Sequence, residues 1–223
     1  MISRLPLTIS NAYLIQCEQP ILVDTGSPGD FQLLSRRLEK EGLTLHELAM
    51  IVHTHAHADH VGSTHAIKEK ADIPTIIHTN DLQWIEKGAN APAGAKGLTG
   101  LIGSWFLARR FTPFSTEIIF EGEMDLNPFG APAKLIHTPG HTLGSASIIF
   151  ENGEAIIGDL LSGGHFGGYI QPSKPRFPYL YRDKKNILMN VQRLLDWGVQ
   201  RFHVGHGGPL KRDDVAKWLQ KMK

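Results

Sequence analysis

The stretch His55-Ala56-His57-Ala58-Asp59-His60 places four metal-binding residue types within six positions. In an extended chain, side chains two positions apart point the same way, so His55 and His57 can converge on one metal ion. Asp59 and His60 come where the chain turns into a helix, so they can face a second ion nearby. Imidazole and carboxylate are groups that zinc binds at about 2.0–2.2 Å. The stretch therefore predicts a metal site, and the alternative is a run of histidines on a solvated turn.

Three more candidate ligands each follow an apolar strand pattern. His141 follows residues 135–138 and a Pro-Gly turn, Asp159 follows residues 155–158, and His206 follows residues 202–205. Ligands at the ends of several strands are what an active site on a rigid sheet requires. His141 or His206 taken alone could equally be a histidine packed in the core. Together with the histidine-rich stretch and Asp159, however, the four segments predict one shared site.

The bulk composition is that of a globular protein. The chain has 223 residues, of which 41% are hydrophobic and 20% charged, and this fits a single domain. The formal net charge of +1 argues against a nucleic-acid partner. Cys17 is the only cysteine, so an intrachain disulfide and a cysteine-rich zinc cluster are excluded. The sequence carries neither a signal-peptide pattern nor the roughly 20 apolar residues of a membrane span, so we expect a cytoplasmic protein.

Strand and helix patterns alternate along both halves of the chain, which indicates a mixed α/β layered fold. Helices are predicted over residues 31–41, 59–70, 81–87, 184–197 and 213–222. Strands are predicted over 11–16, 21–24, 49–52, 74–78, 118–120, 134–137, 146–150, 155–158 and 201–204. Residues 163–181, rich in glycine, proline and aromatics, are expected to form a loop.

Residues 88–113 interrupt this alternation. They are rich in glycine, alanine and proline and then become apolar and aromatic, so we expect an insertion or lid within one domain that spans 1–223. The alternative is a helix that docks on the core or on a partner subunit. For the apolar part, 98–108, three interpretations stay open: a lid, the contact of a homodimer, or a contact with a membrane surface.

The motifs together resemble those of the metallo-β-lactamase superfamily. The resemblance rests on the histidine-rich stretch, Pro139-Gly140-His141-Thr142, Gly158-Asp159, Gly205-His206-Gly207 and Leu22-Val23-Asp24-Thr25-Gly26, in this order along nearly the whole chain. It implies a four-layer αβ/βα sandwich of two mixed β-sheets flanked by helices, with the metals at one edge of the sheets. It also implies a division of the ligands: His55, His57 and His141 on one metal, Asp59, His60 and His206 on the other, Asp159 bridging both, and Asp24 orienting ligands.

The expected activity is hydrolysis with two divalent metal ions, zinc first and iron or manganese as alternatives. Two cations about 3.5–4 Å apart can bridge a water and lower its pKa, and the bridging hydroxide would attack a carbonyl carbon. Asp59 would orient the hydroxide and pass its proton to the leaving group. We therefore expect a small-molecule substrate with an ester-type bond: a thioester, a lactone or a simple ester.

Other activities stay open at this stage. One is a mononuclear iron persulfide dioxygenase that uses His55, His141 and Asp159 as its triad. The others are a β-lactam hydrolase and a non-catalytic metal-binding module. Within the superfamily, the loop after Asp159 has some likeness to the glyoxalase II branch, although the remaining chain is short for that branch's C-terminal glutathione-binding part. Ser162 stands where acyl-homoserine lactonases usually carry tyrosine, which argues against that activity.

Four further residues are candidate substrate contacts. His165 lies in the loop after Asp159, and Tyr179 belongs to an aromatic segment that suggests an apolar pocket wall. Arg109 and Arg176 are candidates for binding an anionic group. The alternative for the aromatic segment and the arginines is a packed lid with solvated charges, and the alternative for His165 is a histidine without a role in the site.

Overall fold

Two six-stranded β-sheets pack face to face in the computed structural model, which describes residues 1–95 and 109–222. The strands are β1 (Ile2–Pro6), β2 (Asn11–Ile15), β3 (Ile21–Val23), β4 (Met50–Val52), β5 (Thr75–His78), β6 (Gly94–Ala95), β7 (Ile118–Phe120), β8 (Glu123–Asp125), β9 (Ala133–His137), β10 (Ala146–Phe150), β11 (Glu154–Ile156), β12 (Ser162–His165), β13 (Ile170–Arg176), β14 (Leu180–Tyr181), β15 (Arg201–His203) and β16 (Leu210–Lys211). The helices are α1 (Phe31–Lys40), α2 (Ala58–Val61), α3 (Thr64–Lys68), α4 (Thr79–Lys87), α5 (Lys184–Asp196) and α6 (Arg212–Met222). Short 3-10 helices cover Leu45–Glu47, Asn127–Phe129 and Gly158–Leu160.

Both sheets are mixed. The first has the order β1-β2-β3-β4-β5-β7, in which β1, β2 and β3 are antiparallel neighbours and the pairs from β3 to β7 are parallel. The second has the order β16-β15-β11-β10-β9-β8, in which only β11 and β15 are parallel. Two small pairs, β12 with β13 and β14 with β6, lie outside these sheets.

The main core lies between the two sheets, where apolar side chains of both meet. Val23, Val52 and Ile76 from the first sheet pack with Leu135 and Ile148 from the second. Strands β3 and β4 are buried on both faces and have the continuous apolar sequences of interior strands.

Helices cover the outer face of each sheet. Leu34 and Leu38 of α1 lie in one outer cluster with Leu22 of the first sheet. On the other side, Val191 of α5 and Val215 of α6 cluster with second-sheet residues. The order of layers is therefore helix, sheet, sheet, helix, and the predicted fold class is confirmed.

Two local predictions were wrong. The helix expected over 59–70 is two short helices, α2 and α3, because the Gly62 amide donates to Gly26 O at 2.8 Å and leaves the helical hydrogen-bond pattern. The expected loop over 163–181 contains a hairpin, β12–β13, and the short strand β14. Its glycines and prolines suggested an irregular loop. In the structure they lie in the turn of the hairpin and in its exposed strand β13, where they are compatible with strand pairing.

The predicted insertion is only partly described. Residues 88–95 and 109–113 lie within the described chain, whereas 96–108, with most of the apolar stretch 98–108, lie outside it. Phe111 and Phe114 are buried beside Ala56 and Ile85, so the end of the insertion packs on the histidine-rich loop and α4. Among the described helices, none is long and apolar enough to cross a membrane.

Candidate metal centre

The predicted ligands lie at one edge of the two sheets, on loops and short helices. Each of these segments follows the end of a strand, so that the fold brings distant parts of the chain together. The segments after β4, β9, β11 and β15 carry, in order, residues 55–60, His141, Asp159 and His206.

The first group of ligand atoms consists of three buried imidazoles, those of His55, His57 and His141. His141 Nε2 lies 3.1 Å from His55 Nε2 and 3.0 Å from His57 Nδ1. These separations are close to those of nitrogens that share one ion at about 2.0–2.1 Å. The expected convergence of His55 and His57 is thus present in the structure, with His141 brought in from the second sheet.

The second group, Asp59, His60 and His206, is richer in carboxylate. His206 Nε2 lies 3.2 Å from Asp59 Oδ2 and 3.2 Å from Asp159 Oδ2. Asp159 Oδ1 lies 3.5 Å from His60 Nε2, while Asp159 Oδ2 lies 3.8 Å from His141 Nε2. The Asp159 carboxylate therefore lies between the two groups.

The outer ring nitrogen of each candidate histidine contacts a hydrogen-bond acceptor. In its neutral form each ring therefore carries its proton on the outside, because carbonyl and carboxylate oxygens only accept. Thr54 Oγ1 donates its own proton to Asp24 Oδ2 at 2.7 Å, so it accepts from His55. The five acceptors are Thr54 Oγ1 for His55 (3.0 Å), Ala91 O for His57 (2.9 Å), Leu180 O for His141 (2.7 Å), Asp24 Oδ2 for His60 (2.7 Å) and Ile9 O for His206 (2.7 Å).

This arrangement turns an unprotonated nitrogen of every neutral ring toward the cluster. Lone pairs about 3 Å apart repel one another unless a cation or a proton lies between them. His60 Nε2 and Asp159 Oδ1 are, in addition, buried without a hydrogen-bond partner among the described residues. Buried polar atoms without a partner are uncommon and costly. The donor set therefore fits bound cations, for which nitrogen and carboxylate oxygen are suitable ligands.

Burial and neighbouring charges set the protonation of the two groups differently. Burial, together with neighbouring imidazoles, lowers the pKa of His141 to about 3. Burial also lowers the pKa of His60, but the carboxylates of Asp59, Asp24 and Asp159 outweigh it and raise that pKa to about 9. The first group thus presents neutral imidazoles, whereas the second holds protons that a metal ion would displace.

Asp24 connects the two groups. Its Oδ2 accepts from His60 Nδ1 and from Thr54 Oγ1, which holds His55, and its Oδ1 accepts from the Thr54 amide at 2.8 Å. The residue directly follows β3 and has a φ of 61°, in the left-handed region. One buried carboxylate therefore contacts a predicted ligand of the second group directly and one of the first through Thr54. The orienting role expected for Asp24 stays a prediction.

Asp81, at the start of α4, is a residue that the sequence analysis missed. Its side chain is fully buried and joins the histidine-rich loop to the loop of His141. Asp81 Oδ2 accepts from the Ala56 amide at 2.9 Å and from Thr142 Oγ1 at 2.8 Å, and Oδ1 accepts from the Gly144 amide at 2.9 Å. In the sequence Asp81 resembles an ordinary acidic residue in the first turn of a helix. Its position just after β5, at the same sheet edge as the ligands, was the one sequence feature that could have pointed to a role in the site.

The chain after α4 supplies a second support that sequence reasoning missed. Asn90 Oδ1 accepts from the Ala58 amide at 2.6 Å, and the neighbouring Ala91 carbonyl accepts from His57. A backbone acceptor carries no side-chain signature, so no sequence pattern could have identified Ala91. The first part of the predicted insertion is thus in contact with the metal-binding loop.

A cavity of about 440 Å³ opens beside the cluster, with Asp59, Asp159 and His206 among its lining residues. Tyr179 also lines it, as the sequence analysis expected for a pocket wall. The other three candidate substrate contacts do not line it. His165 and Arg176 contact each other on the β12–β13 hairpin, and Arg109 is exposed, with its carbonyl accepting from Asn90 Nδ2 at 2.8 Å.

Known proteins with similar sequences and structures carry metallo-hydrolase or metallo-beta-lactamase names. A model of the metallo-beta-lactamase superfamily matches residues 5–208. The probable metallo-hydrolase MJ0888 of Methanocaldococcus jannaschii is 30% identical over 198 residues, which cover 89% of this chain and 87% of that protein. The probable metallo-hydrolase YqgX of Bacillus subtilis is 32% identical over 163 residues, covering 73% and 70%. Among solved structures, TTHA1623 in a di-iron-bound form has 30% identity, 97% coverage of both chains and a TM-score of 0.68. The B3 metallo-beta-lactamase BLEG-1 shares the fold at a TM-score of 0.67, with 24% identity and 97% coverage of both chains.

Proposed function

The chain belongs to the metallo-β-lactamase superfamily, and from this membership and the ligand cluster we propose that it is a binuclear metal-dependent hydrolase. Its substrate on this proposal is a small molecule with an ester-type carbonyl bond: a thioester, a lactone or a simple ester. The cavity beside the cluster, about 440 Å³, is within the usual size range of small-molecule sites.

The observation that carries the proposal is the common orientation of the five imidazoles. Each outer nitrogen contacts an acceptor, and each inner nitrogen faces the cluster. On this basis His55, His57 and His141 would hold one ion. Asp59, His60 and His206 would hold the other, with Asp159 between them.

When bound, the metal ions supply a hydroxide nucleophile near neutral pH and polarise the substrate carbonyl. Asp59 is the candidate for proton transfer, because its side chain is partly exposed, lines the cavity and contacts His206 through Oδ2. It would hold the proton released by the attacking water and deliver it to the leaving group.

Tyr179 is the candidate hydrogen-bond donor to the substrate. Its hydroxyl oxygen accepts from the Phe166 amide at 3.0 Å and from Arg176 at 3.4 Å. Because the oxygen already accepts from two donors, the hydroxyl proton of Tyr179 remains available to a group in the cavity that the side chain lines.

The native metal is zinc on our proposal, with iron as the main alternative. The nitrogen and carboxylate donors suit both, and TTHA1623, at 30% identity, has been solved in a di-iron-bound form. A mononuclear iron dioxygenase would need His55, His141 and Asp159 alone. The second group, with the two unpartnered atoms His60 Nε2 and Asp159 Oδ1, favours two ions instead.

Metal content of protein purified without chelator or added metal tests the proposal. We expect about two metal ions per chain, and hydrolysis of one class in a panel of thioesters, lactones, esters and β-lactams. His206→Ala should lower the stoichiometry toward one ion, while the exposed His46→Ala serves as the control and should leave it unchanged. One iron per chain with oxygen-dependent turnover of a persulfide would refute the proposal in favour of the dioxygenase.

A further inference from the structure

The cavity beside the metal centre has a wall built largely from apolar and aromatic side chains. Ile9, Pro178 and Leu180 line it together with Phe166, Tyr169 and Tyr179. Phe166 and Tyr169 are 70% and 80% exposed, although both belong to the cavity lining. Large aromatics left facing water beside a catalytic groove indicate a surface that a ligand covers.

The loop that carries these aromatics is fixed to the metal centre rather than free. Its turn has Phe166 at a φ of 52° and Gly168 at a φ of 91°. A side chain on Gly168 would place its Cβ 2.2 Å from Gly207 Cα, so this loop packs directly against the segment that carries His206. The aromatic wall and the ligand loop are therefore in direct contact in the fold.

Apart from the candidate ligands, the described lining lacks a cation to receive an acidic substrate. Among the described lining residues there is no lysine or arginine, and the polar groups other than the candidate ligands are the uncharged Asn90, Ser162, Tyr169 and Tyr179. A carboxylate at the far end of a bound molecule would thus lie against apolar walls without a cation to pair with, at a substantial desolvation cost.

Arg176, on the β12–β13 hairpin and outside the described cavity lining, contacts the hairpin through one nitrogen of its guanidinium. Nη1 donates to Gly164 O at 3.2 Å and to Tyr179 Oη at 3.4 Å, and it contacts His165 Nδ1. The guanidinium also stacks on the Tyr179 ring at 4.7 Å. These contacts make Arg176 a positioning residue for the wall.

We propose that the substrate carries an uncharged, apolar acyl group, which lies against Phe166 and Tyr169 with its carbonyl at the metal centre. This inference rests on the proposed function and specifies its substrate class. In the reaction, water adds to the acyl carbon, the bond from that carbon to the leaving atom breaks, one proton goes to the leaving atom, and the acyl part departs as a carboxylate with release of the second proton.

A matched pair of substrates tests the inference: 4-nitrophenyl hexanoate and the mono-4-nitrophenyl ester of adipic acid, which differ by a terminal carboxylate. With metal-loaded protein we expect kcat/KM to be at least about tenfold higher for the hexanoate. Phe166→Ala and Tyr169→Ala should each raise KM for the hexanoate severalfold. Trp197→Ala is the matched control, since Trp197 is 49% exposed and outside this cavity lining.

A second measurement does not depend on turnover. Chelator-treated protein is titrated with 2-octanone and with 7-oxooctanoate, and binding is followed by saturation-transfer NMR. We expect at least about tenfold tighter binding of the neutral ketone, weakened in Phe166→Ala. Equal or preferred use of the adipate ester, or equal binding of the two ketones, would overturn the inference while leaving the hydrolase proposal intact. Absence of metal-dependent hydrolysis of both esters and of every other member of the panel would overturn the proposed function, and the substrate class with it.

Discussion

Replacement of Asp81 by asparagine should weaken both the fold and one metal group, although Asp81 is not itself a candidate ligand. Its carboxylate accepts three hydrogen bonds, from the amides of Ala56 and Gly144 and from Thr142 Oγ1. The residue is fully buried, so water does not replace an acceptor that is removed. The first donor precedes His57 and the other two follow His141, so Asp81 ties together the two loops of the first group.

The magnitude follows from the geometry. An asparagine has one acceptor oxygen, and its NH₂ group would face either the Gly144 amide or the pair formed by the Ala56 amide and Thr142 Oγ1. Thr142 can rotate its hydroxyl to accept, but an amide N–H cannot, so one buried N–H loses its partner in either orientation. An unsatisfied buried donor costs about 1–3 kcal/mol, and loss of a charged acceptor adds to this, so we expect about 2–4 kcal/mol of destabilisation.

The effect on metal binding should be selective. Residues that hold ligands from outside typically contribute about 10–100-fold to metal affinity. We expect a loss of that size at the group of His55, His57 and His141. The group of Asp59, His60 and His206 is held instead through Asp24 and Ile9, so it should change little.

Two measurements on Asp81→Asn check this. Urea unfolding of chelator-treated protein gives the change in the free energy of unfolding without a metal contribution. Competition with a chromophoric chelator gives the affinity of each ion. Asp125→Asn is the control, because Asp125 is exposed and accepts from Asn127 through one oxygen that asparagine retains. We expect the control to change the unfolding free energy by under about 0.5 kcal/mol. Equal affinities and equal unfolding free energies in Asp81→Asn and wild type would refute the reasoning.

Three further changes give distinct results. Asp24→Asn removes the carboxylate that orients a ligand in each group, so competition titrations should show both ions bound about 10–100-fold more weakly; loss at one group alone would contradict the shared role. Gly205→Ala places a Cβ 2.1 Å from Asp159 Oδ1, so elemental analysis should find less metal. Gly198→Ala adds the same methyl group in open space, at a residue whose φ of 85° is positive, and should keep its metal. Burial, together with the stacked His137 ring, lowers the pKa of His78 to about 4. The unfolded chain has a pKa of about 6.5 for this group, so its protonation destabilises the fold as the pH falls from about 6.5 to about 4. His78→Asn keeps an acceptor for the Asn80 amide. Urea unfolding should show that wild type loses about 1–2 kcal/mol more unfolding free energy than this variant between about pH 7.5 and pH 5; an equal loss in both proteins would contradict this.

The parts of the fold that could be predicted are those in which one local pattern determines the outcome. Strand β10 has the apolar sequence of an interior strand, and α1 has apolar residues at helical spacing before Gly42, so both were found nearly to the residue. The helix expected over 59–70 failed because its interruption depends on a tertiary contact, the hydrogen bond from the Gly62 amide to Gly26 O. Such a contact leaves no periodic signal in the sequence.

The same distinction applies to the candidate site. The residues proposed as ligands were found because histidine and aspartate are recognisable ligand types in a close spacing. The groups that orient them were mostly missed, because Ala91, Leu180 and Ile9 contribute only backbone carbonyls. Asp81 was missed for another reason: its importance comes from full burial between two loops, and burial is a property of the assembled fold.

The distribution of these outer acceptors has a consequence for how the centre forms. Ile9 precedes β2, Ala91 follows α4, and Leu180 belongs to β14, so three separate parts of the chain must be in place before the rings of His206, His57 and His141 are held. An unfolded chain with the same residues would offer these imidazoles in mixed tautomers and orientations. Metal affinity on our proposal is therefore a property of the folded state, and metal binding should stabilise the fold by mass action, by about 2.7 kcal/mol at a free metal concentration of 100 times Kd. Because Gly168 packs against Gly207, the same folding event also sets the distance from the aromatic wall to the centre.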